Sequence, residues 1–474
     1  MIKNALLLIN LLFLLSCAVN PVTGNQDFVL ISENQEINMG KGYAREVLKQ
    51  EKIYKNNLLQ NYVQDLGEEL AKNSHRPNLI YRFTVLDNPG VNAFALPGGH
   101  IFIYRGLLAH FNKEEELAAV LAHEIGHVTA RHSVKQYSQN QAAQILTTVI
   151  GQEYGRTAGD LSYLMGGALI SGYGRDMELQ ADGLAVQYTT KLGYSENGML
   201  STLGVLKDHQ EYSKEVSKRR GISQQTYHGV FSSHPTNDKR LKEIINSSVQ
   251  ISKKTKTNDR LFSFIDGLIY GDSSEEGIKR GDSFYHKELG IFLSAPKKWE
   301  MINNPNSLVF LSPKGDAFIE VTIDDQLRVE KPRDFLKRLT NNKFTEDKSL
   351  TIGKYRASIG KAKLNGEDLF IAAIFRKKQI FIFSSAVNTE NKTISEFKEE
   401  FDLVIRSFRD LEKRELSLAE PLRLKIYKVR KYDTYKSLAK KSPISFDAEL
   451  NLRLLNGDYP KGSLKTGRLI KIVY

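Results

Sequence analysis

His123-Glu124-Ile125-Gly126-His127 sets two imidazoles four residues apart, with a carboxylate beside the first. In a helix, positions four apart lie on one face, one turn above each other. The two histidines can then grip one metal ion from the same side, and neutral imidazole suits zinc. Glu124 is offset around the helix, placed to reach a water at the metal rather than to act as the paired ligand. The chemistry of such a group is hydrolysis. Zinc lowers the pKa of water to about 7 and polarises a carbonyl, while the carboxylate takes the water's proton and passes it to the leaving amine. A catalytic zinc also needs a third protein ligand and an open position.

The surrounding residues must supply the helix. Asn112 precedes Lys113-Glu114-Glu115-Glu116, a polar cap and then carboxylates in the first turn, where the helix dipole favours them. Leu117, Val120, Leu121, Glu124 and Val128 follow at helical spacing. A second helix is predicted from about Arg175 to Leu192. It carries Glu178 and Asp182 on one face, so Glu178 can complete a His-His-Glu zinc site. Asp182 can accept the free ring N–H of a histidine ligand and fix its tautomer. The alternative for this face is simple exposure to solvent. Gly98-Gly99 before His100–Tyr104 predicts a turn entering a β-strand. His132, five residues beyond His127, reads as a packing or surface group.

HEIGH followed by RDMELQAD resembles the CAAX-protease-like zinc metallopeptidases, in particular their periplasmic BepA and LoiP branch. Three further segments match that pattern in order: Asn20-Pro21-Val22-Thr23-Gly24, Asn92-Ala93-Phe94-Ala95-Leu96-Pro97-Gly98-Gly99, and Ser233-His234-Pro235 with Arg240 six residues after His234. The resemblance covers residues 18–250. It implies a mainly α-helical zincin-type metalloprotease domain with a small β-sheet, holding one Zn2+ per chain. It implies that Asn92, Ala95, Gly98 and Gly99 belong to a strand edge on which substrate adds as a further strand, against an ordinary core strand with a Gly turn. It implies a loop His234 that either occupies the zinc's open position or donates to the oxyanion, against a plain surface turn. Arg240 would pair with Glu178 or another site carboxylate. The implied substrates are unfolded or misassembled envelope proteins.

The N-terminus predicts the compartment. Met1-Ile2-Lys3 and the apolar run Ala5–Leu15 form a signal-type segment too short to span a bilayer. Leu14-Leu15-Ser16-Cys17 resembles a lipobox, so 1–17 reads as a lipoprotein signal peptide with Cys17 as the lipid-bearing residue. A plain secretory signal is the alternative. Ala18 after Cys17 resembles outer-membrane sorting, placing the protein on the periplasmic face. Cys17 is the one cysteine, so no intrachain disulfide is available. The net charge of +12 suits anionic lipid or cell-wall polymers. That charge is dispersed and no nucleic-acid motif accompanies it, so DNA binding is rejected.

A chain of 474 residues should hold several domains. The Gly-rich stretch 141–174 predicts either a mobile lid or a buried hairpin. Residues 251–280 are polar and predict a linker. Residues 281–412 predict an α+β accessory domain without a catalytic constellation, with strands at Ala317–Asp324, Ile352–Lys363 and Asp368–Ser385 and helices at Pro332–Leu339 and Thr393–Phe408. Residues 423–474 resemble a small LysM-like βααβ module. Tyr432 and Thr466 stand where that pattern usually has Gly and Pro. The module implies peptidoglycan binding or, alternatively, a supporting role for the protease. The competing class is a non-catalytic chaperone-like or cell-wall-binding lipoprotein with a structural or latent zinc.

Overall fold

The computed structural model describes residues 17–150, 173–220, 240, 260–304, 306–364, 367–387 and 393–474. The signal segment up to Ser16, most of the Gly-rich stretch 141–174, and His234 lie outside the described residues.

The described residues begin with a two-stranded ribbon, β1 (Cys17–Val19) and β2 (Gln26–Phe28). Helix α1 (Glu33–Gln50) starts on a capping box. The Ser32 hydroxyl accepts from the Gln35 N–H, and the Gln35 side chain returns to the Ser32 N–H. Helix α2 (Asn57–Lys72) buries Leu59, Tyr62, Val63, Leu66 and Leu70, a helical stripe facing the core. A three-stranded sheet follows: β3 (Arg82–Leu86), β4 (Ala93–Leu96) and β5 (His100–Tyr104), in the order β3-β5-β4. β5 runs parallel to β3 and antiparallel to β4, leaving β4 at the edge. Gly98 and Gly99 make the turn between β4 and β5 with φ of 75° and 91°, in the region that favours glycine. A Cβ on Gly99 would also stand 2.8 Å from the Ile80 carbonyl oxygen.

Short α3 (Arg105–His110) leads to α4 (Glu114–Thr129), the central helix. The Glu116 carboxylate accepts from the backbone N–H groups of Asn112 (2.6 Å) and Lys113 (3.3 Å), holding the helix start. Leu117, Ala118, Ala119, Leu121, Ala122 and Ile125 are all buried, so α4 is covered on nearly every side. The helices α5 (His132–Ile150), α6 (Arg175–Lys191) and α7 (Asn197–Arg220) follow. α6 lies very close to α4: a Cβ on Gly126 would come within 3.2 Å of Ala181 backbone atoms.

The stretch from 260 onward, expected as part of a linker, is built into the core. α8 (Leu261–Ile265) buries Leu261 and Ile265, and β6 (Ile269–Tyr270) pairs with a C-terminal strand. Leu261, Phe262, Phe264 and Ile265 supply apolar contacts to this core, which the lysines before them mask in the sequence. A β-rich region follows. A four-stranded sheet has the order β17-β9-β8-β7, from β7 (Ile278–Arg280), β8 (Ser283–His286), β9 (Ile291–Ser294) and β17 (Arg409–Asp410). A seven-stranded antiparallel sheet has the order β10-β11-β12-β16-β15-β14-β13. Its strands are β10 (Glu300–Asn304), β11 (Ser307–Leu311), β12 (Ala317–Asp325), β13 (Phe344–Ile352), β14 (Tyr355–Leu364), β15 (Glu367–Arg376) and β16 (Gln379–Val387). Helix α9 (Pro332–Leu339) covers one face through Phe335 and Leu336. Helix α10 (Lys398–Ser407) covers the other through Phe401, Val404 and Ile405. β15 is buried on both faces, which explains its unbroken run Leu369–Phe375.

The C-terminal segment has the order β18 (Leu422–Lys428), α11 (Tyr435–Ala439), α12 (Ala448–Leu455) and β19 (Leu469–Val473), with β18 antiparallel to β19. β18 also pairs with β6, and Leu424, Tyr435, Leu452, Leu455 and Ile470 join the same apolar cluster as α2 and α4. The Lys471 amine is wholly buried and donates to the carbonyls of Ala109 (2.7 Å) and Phe111 (2.6 Å), just ahead of α4. The chain is thus multidomain in character, with helices around a small sheet followed by a β-rich region. Among the described residues, no helix is long and apolar enough to cross a membrane.

Candidate metal centre

α4 and α6 bring His123, His127 and Glu178 together, and one ligand atom from each lies within 4.8 Å of the others. The His123 and His127 Nε2 atoms are 3.0 Å apart. The Glu178 carboxylate oxygens stand 3.5 Å from His123 Nε2 and 3.4 Å from His127 Nε2. All three side chains are buried. Two ring nitrogens and a carboxylate converging on one point form the N,N,O donor set of a hydrolytic zinc site. The charge balance agrees with a cation there. Among the described residues, the carboxylates of Glu124, Glu178 and Asp182, all buried, face the guanidinium of Arg240.

Asp182 stands 3.0 Å from His123 Nδ1, the ring nitrogen turned away from Glu178. Arg240 grips Asp182 through Nε to Oδ2 and Nη2 to Oδ1, both 2.7 Å, and its Nη1 lies 3.1 Å from Glu178 Oε2. Burial opposes charge on His123, but hydrogen bonding to Asp182 and Glu178 outweighs it and lifts the ring to about 10. Burial alone would raise Asp182; Arg240 and His123 reverse this and hold it below its ordinary range. Burial is the largest influence on His127 and pushes it well down.

Glu124 is buried beside a cavity of about 30 Å³, roughly the space of one water. Ala93 of the edge strand, Val120, Met199 and Leu203 are among the residues that line it. The edge strand β4 therefore stands next to Glu124, with Ala95 buried and Asn92 accepting the Tyr104 N–H at 2.9 Å through its carbonyl. Cys17 starts β1, in register with Phe28 and away from these groups in sequence.

One site residue escaped the sequence reading. His132 is fully buried, and its Nδ1 lies 2.8 Å from His127 Nδ1. Its Nε2 lies 2.9 Å from Gln180 Oε1. The ring of Tyr173 stacks on His127 at 4.0 Å between centroids, its hydroxyl 2.7 Å from the Ser133 hydroxyl. The missed signal is Arg131. Its φ of 56° ends one helix and starts another, so a spacing of five says nothing about helical faces there.

Two histidines and a glutamate from α4 and α6, with Glu124 beside them, fit the donor set and base of a zinc-dependent metalloendopeptidase, the class that the comparisons with known proteins support. Residues 57–247 match the model of Peptidase family M48. The chain is 27% identical over 348 residues to the beta-barrel assembly-enhancing protease of Yersinia pestis, covering 68% of this chain and 69% of that protein. It is 26% identical to the Escherichia coli protein of the same name, over 49% of this chain and 47% of that one. The mitochondrial metalloendopeptidase OMA1 of Schizosaccharomyces pombe is 26% identical, over 50% of this chain and 68% of that protein. The matched stretch thus spans about half the length of the Escherichia coli relative.

Proposed function

We propose that this protein is a lipid-anchored endopeptidase of the bacterial envelope, acting in envelope protein quality control. The observation that carries the catalytic reading is the convergence of His123, His127 and Glu178 beside a buried Glu124. In this reading those three side chains hold the zinc. When bound, zinc supplies Lewis acidity toward the scissile carbonyl and acidifies water. Glu124 accepts the water's proton and returns it to the leaving amine. Asp182 keeps His123 in the tautomer that presents Nε2, and Arg240 holds Asp182 and Glu178 in place. The edge strand β4, with Asn92 and Ala95 and the Gly98-Gly99 turn, aligns an extended substrate by backbone pairing. Such pairing makes few demands on side chains, which suits unfolded or misassembled proteins.

Lipidation of Cys17 after removal of the signal segment would tether the enzyme at the periplasmic face of the outer membrane. The names of the beta-barrel assembly-enhancing relatives support an envelope role. Residues 423–474 remain proposed as a LysM-like module; their packing into the protease core favours the supporting role over peptidoglycan binding. The proposal is tested by metal content and casein cleavage of the wild type beside His123→Ala and Glu178→Ala. About one zinc per wild-type chain, lost in both variants together with cleavage, is expected. Zinc retained at full occupancy in Glu178→Ala would remove Glu178 from the ligand set.

A further inference from the structure

The two histidines of the HEIGH segment are oriented by different means. His123 has a carboxylate, Asp182, at Nδ1. His127 has a neutral chain: its Nδ1 meets His132 Nδ1, and His132 Nε2 meets the Gln180 amide oxygen. An amide oxygen only accepts, so His132 carries its hydrogen on Nε2. A neutral imidazole with Nε2–H has an acceptor at Nδ1. His127 must then donate from its own Nδ1–H, leaving His127 Nε2 with a lone pair directed toward Glu178 and His123. The opposite sense of the chain would place a hydrogen on His127 Nε2 and abolish its use as a ligand.

The backbone is bent to make this contact. Arg131 adopts a left-handed conformation rare for a side chain of its size. It is held there by its Nε bond to Glu36 Oε2 (2.8 Å). Glu36 is buried and also accepts from Arg76 Nη1 at 2.7 Å. The turn aims the first residue of α5 back at the last turn of α4. Gln180 lies two residues from the ligand Glu178 on α6, so the chain spans three helices around the site.

We propose that His132, seated by Gln180, is a positioning residue that fixes His127 in the metal-binding tautomer. This rests on the zinc reading given above. Loss of such a partner typically weakens metal affinity 10- to 100-fold, in the order of magnitude seen for groups behind zinc-bound histidines. The test is zinc affinity by chelator competition for wild type, His132→Leu and His132→Asn. The Asn amide oxygen can accept where His132 Nδ1 did; Leu cannot. His132→Leu should lose roughly 10- to 100-fold in affinity and His132→Asn should recover most of it. In the cobalt-substituted protein, the exchangeable resonance of His127 Nδ1–H should disappear in His132→Leu and persist in His132→Asn. Should His132→Leu fail to fold, Gln180→Leu is measured instead, with a smaller loss in the same direction, and Gln180→Glu should retain affinity because it still accepts. Wild-type affinity in His132→Leu, or equal losses in Leu and Asn, would overturn the proposal while leaving the zinc reading intact. A wild type that takes up no zinc would overturn both.

Discussion

The two large cores of this molecule are built on opposite principles. The seven-stranded sheet is filled from both sides by Phe, Ile, Val and Ala, and among its described residues no group of histidine, cysteine and carboxylate side chains gathers for a metal. The core around α4 is apolar on most sides too, yet it encloses His123, Glu124, His127, His132, Glu178, Asp182 and Arg240. Charges and imidazoles are removed from water only at a cost, and they persist where each is matched by partners. The difference separates a core that only has to exist from one that has to hold atoms at set distances. In the first, a substitution should cost stability alone. In the second, it should cost stability and metal together.

The largest effects test that contrast directly. Arg240→Met leaves Asp182 and Glu178 without their guanidinium, so it should destabilise by about 3–5 kcal/mol. Phe383→Ala empties a fully buried site in the sheet and should cost a similar 3–5 kcal/mol. Denaturant melts of the metal-free proteins should show comparable losses. Zinc affinity should fall only for Arg240→Met. A matching fall for Phe383→Ala at temperatures where it stays folded would break the distinction between the two cores.

Lys471 makes a smaller and more specific test. Lys471→Met strands two buried carbonyls, at about 1–3 kcal/mol each, offset in part by relief of a buried amine. Burial lowers that amine to about 7 from the ordinary 10.5. Between those values the unfolded chain holds one more proton than the folded one, so stability rises with pH across that window. The slope contributed is about 1.4 kcal/mol per pH unit. Stability measured from pH 7 to 10 should therefore rise more steeply in wild type than in Lys471→Met. Parallel curves would show that the amine is not held neutral.

Gly126→Ala has the smallest expected effect and an instructive sign. Helix propensity alone favours the alanine by about 1 kcal/mol. The added methyl, however, meets backbone atoms of Ala181 at 3.2 Å, and a helix backbone yields less readily than a side chain. α6, with Glu178 and Asp182, should be pushed outward and zinc should bind several-fold more weakly. Tighter binding would show that the close approach of the helices is not limiting.

Much of the site was legible in the chain. The HEIGH segment and the Glu178–Asp182 pair each obey helical spacing within one element, and the structure faces them across α4 and α6. Arg240 meets both Asp182 and Glu178, a contact expected only from resemblance. His132 was not legible because its contact depends on one positive-φ residue, Arg131, whose conformation is set by Glu36 nearly a hundred residues away. The seat of the C-terminal segment was hidden for a similar reason. Lys471 lies in a strand, and nothing in that strand's sequence points to the carbonyls of Ala109 and Phe111 that it meets. Local periodicity carries faces and spacing; it does not carry which distant element will satisfy a buried polar atom.

The central claim is that a carboxylate beside a zinc site performs peptide hydrolysis. The direct measurement is zinc content and casein cleavage of wild type beside Glu124→Gln. About one zinc in both proteins is predicted, with cleavage lowered at least 100-fold in Glu124→Gln, within the usual range for loss of a general base. Cleavage at the wild-type rate in Glu124→Gln, with zinc bound, would contradict the account.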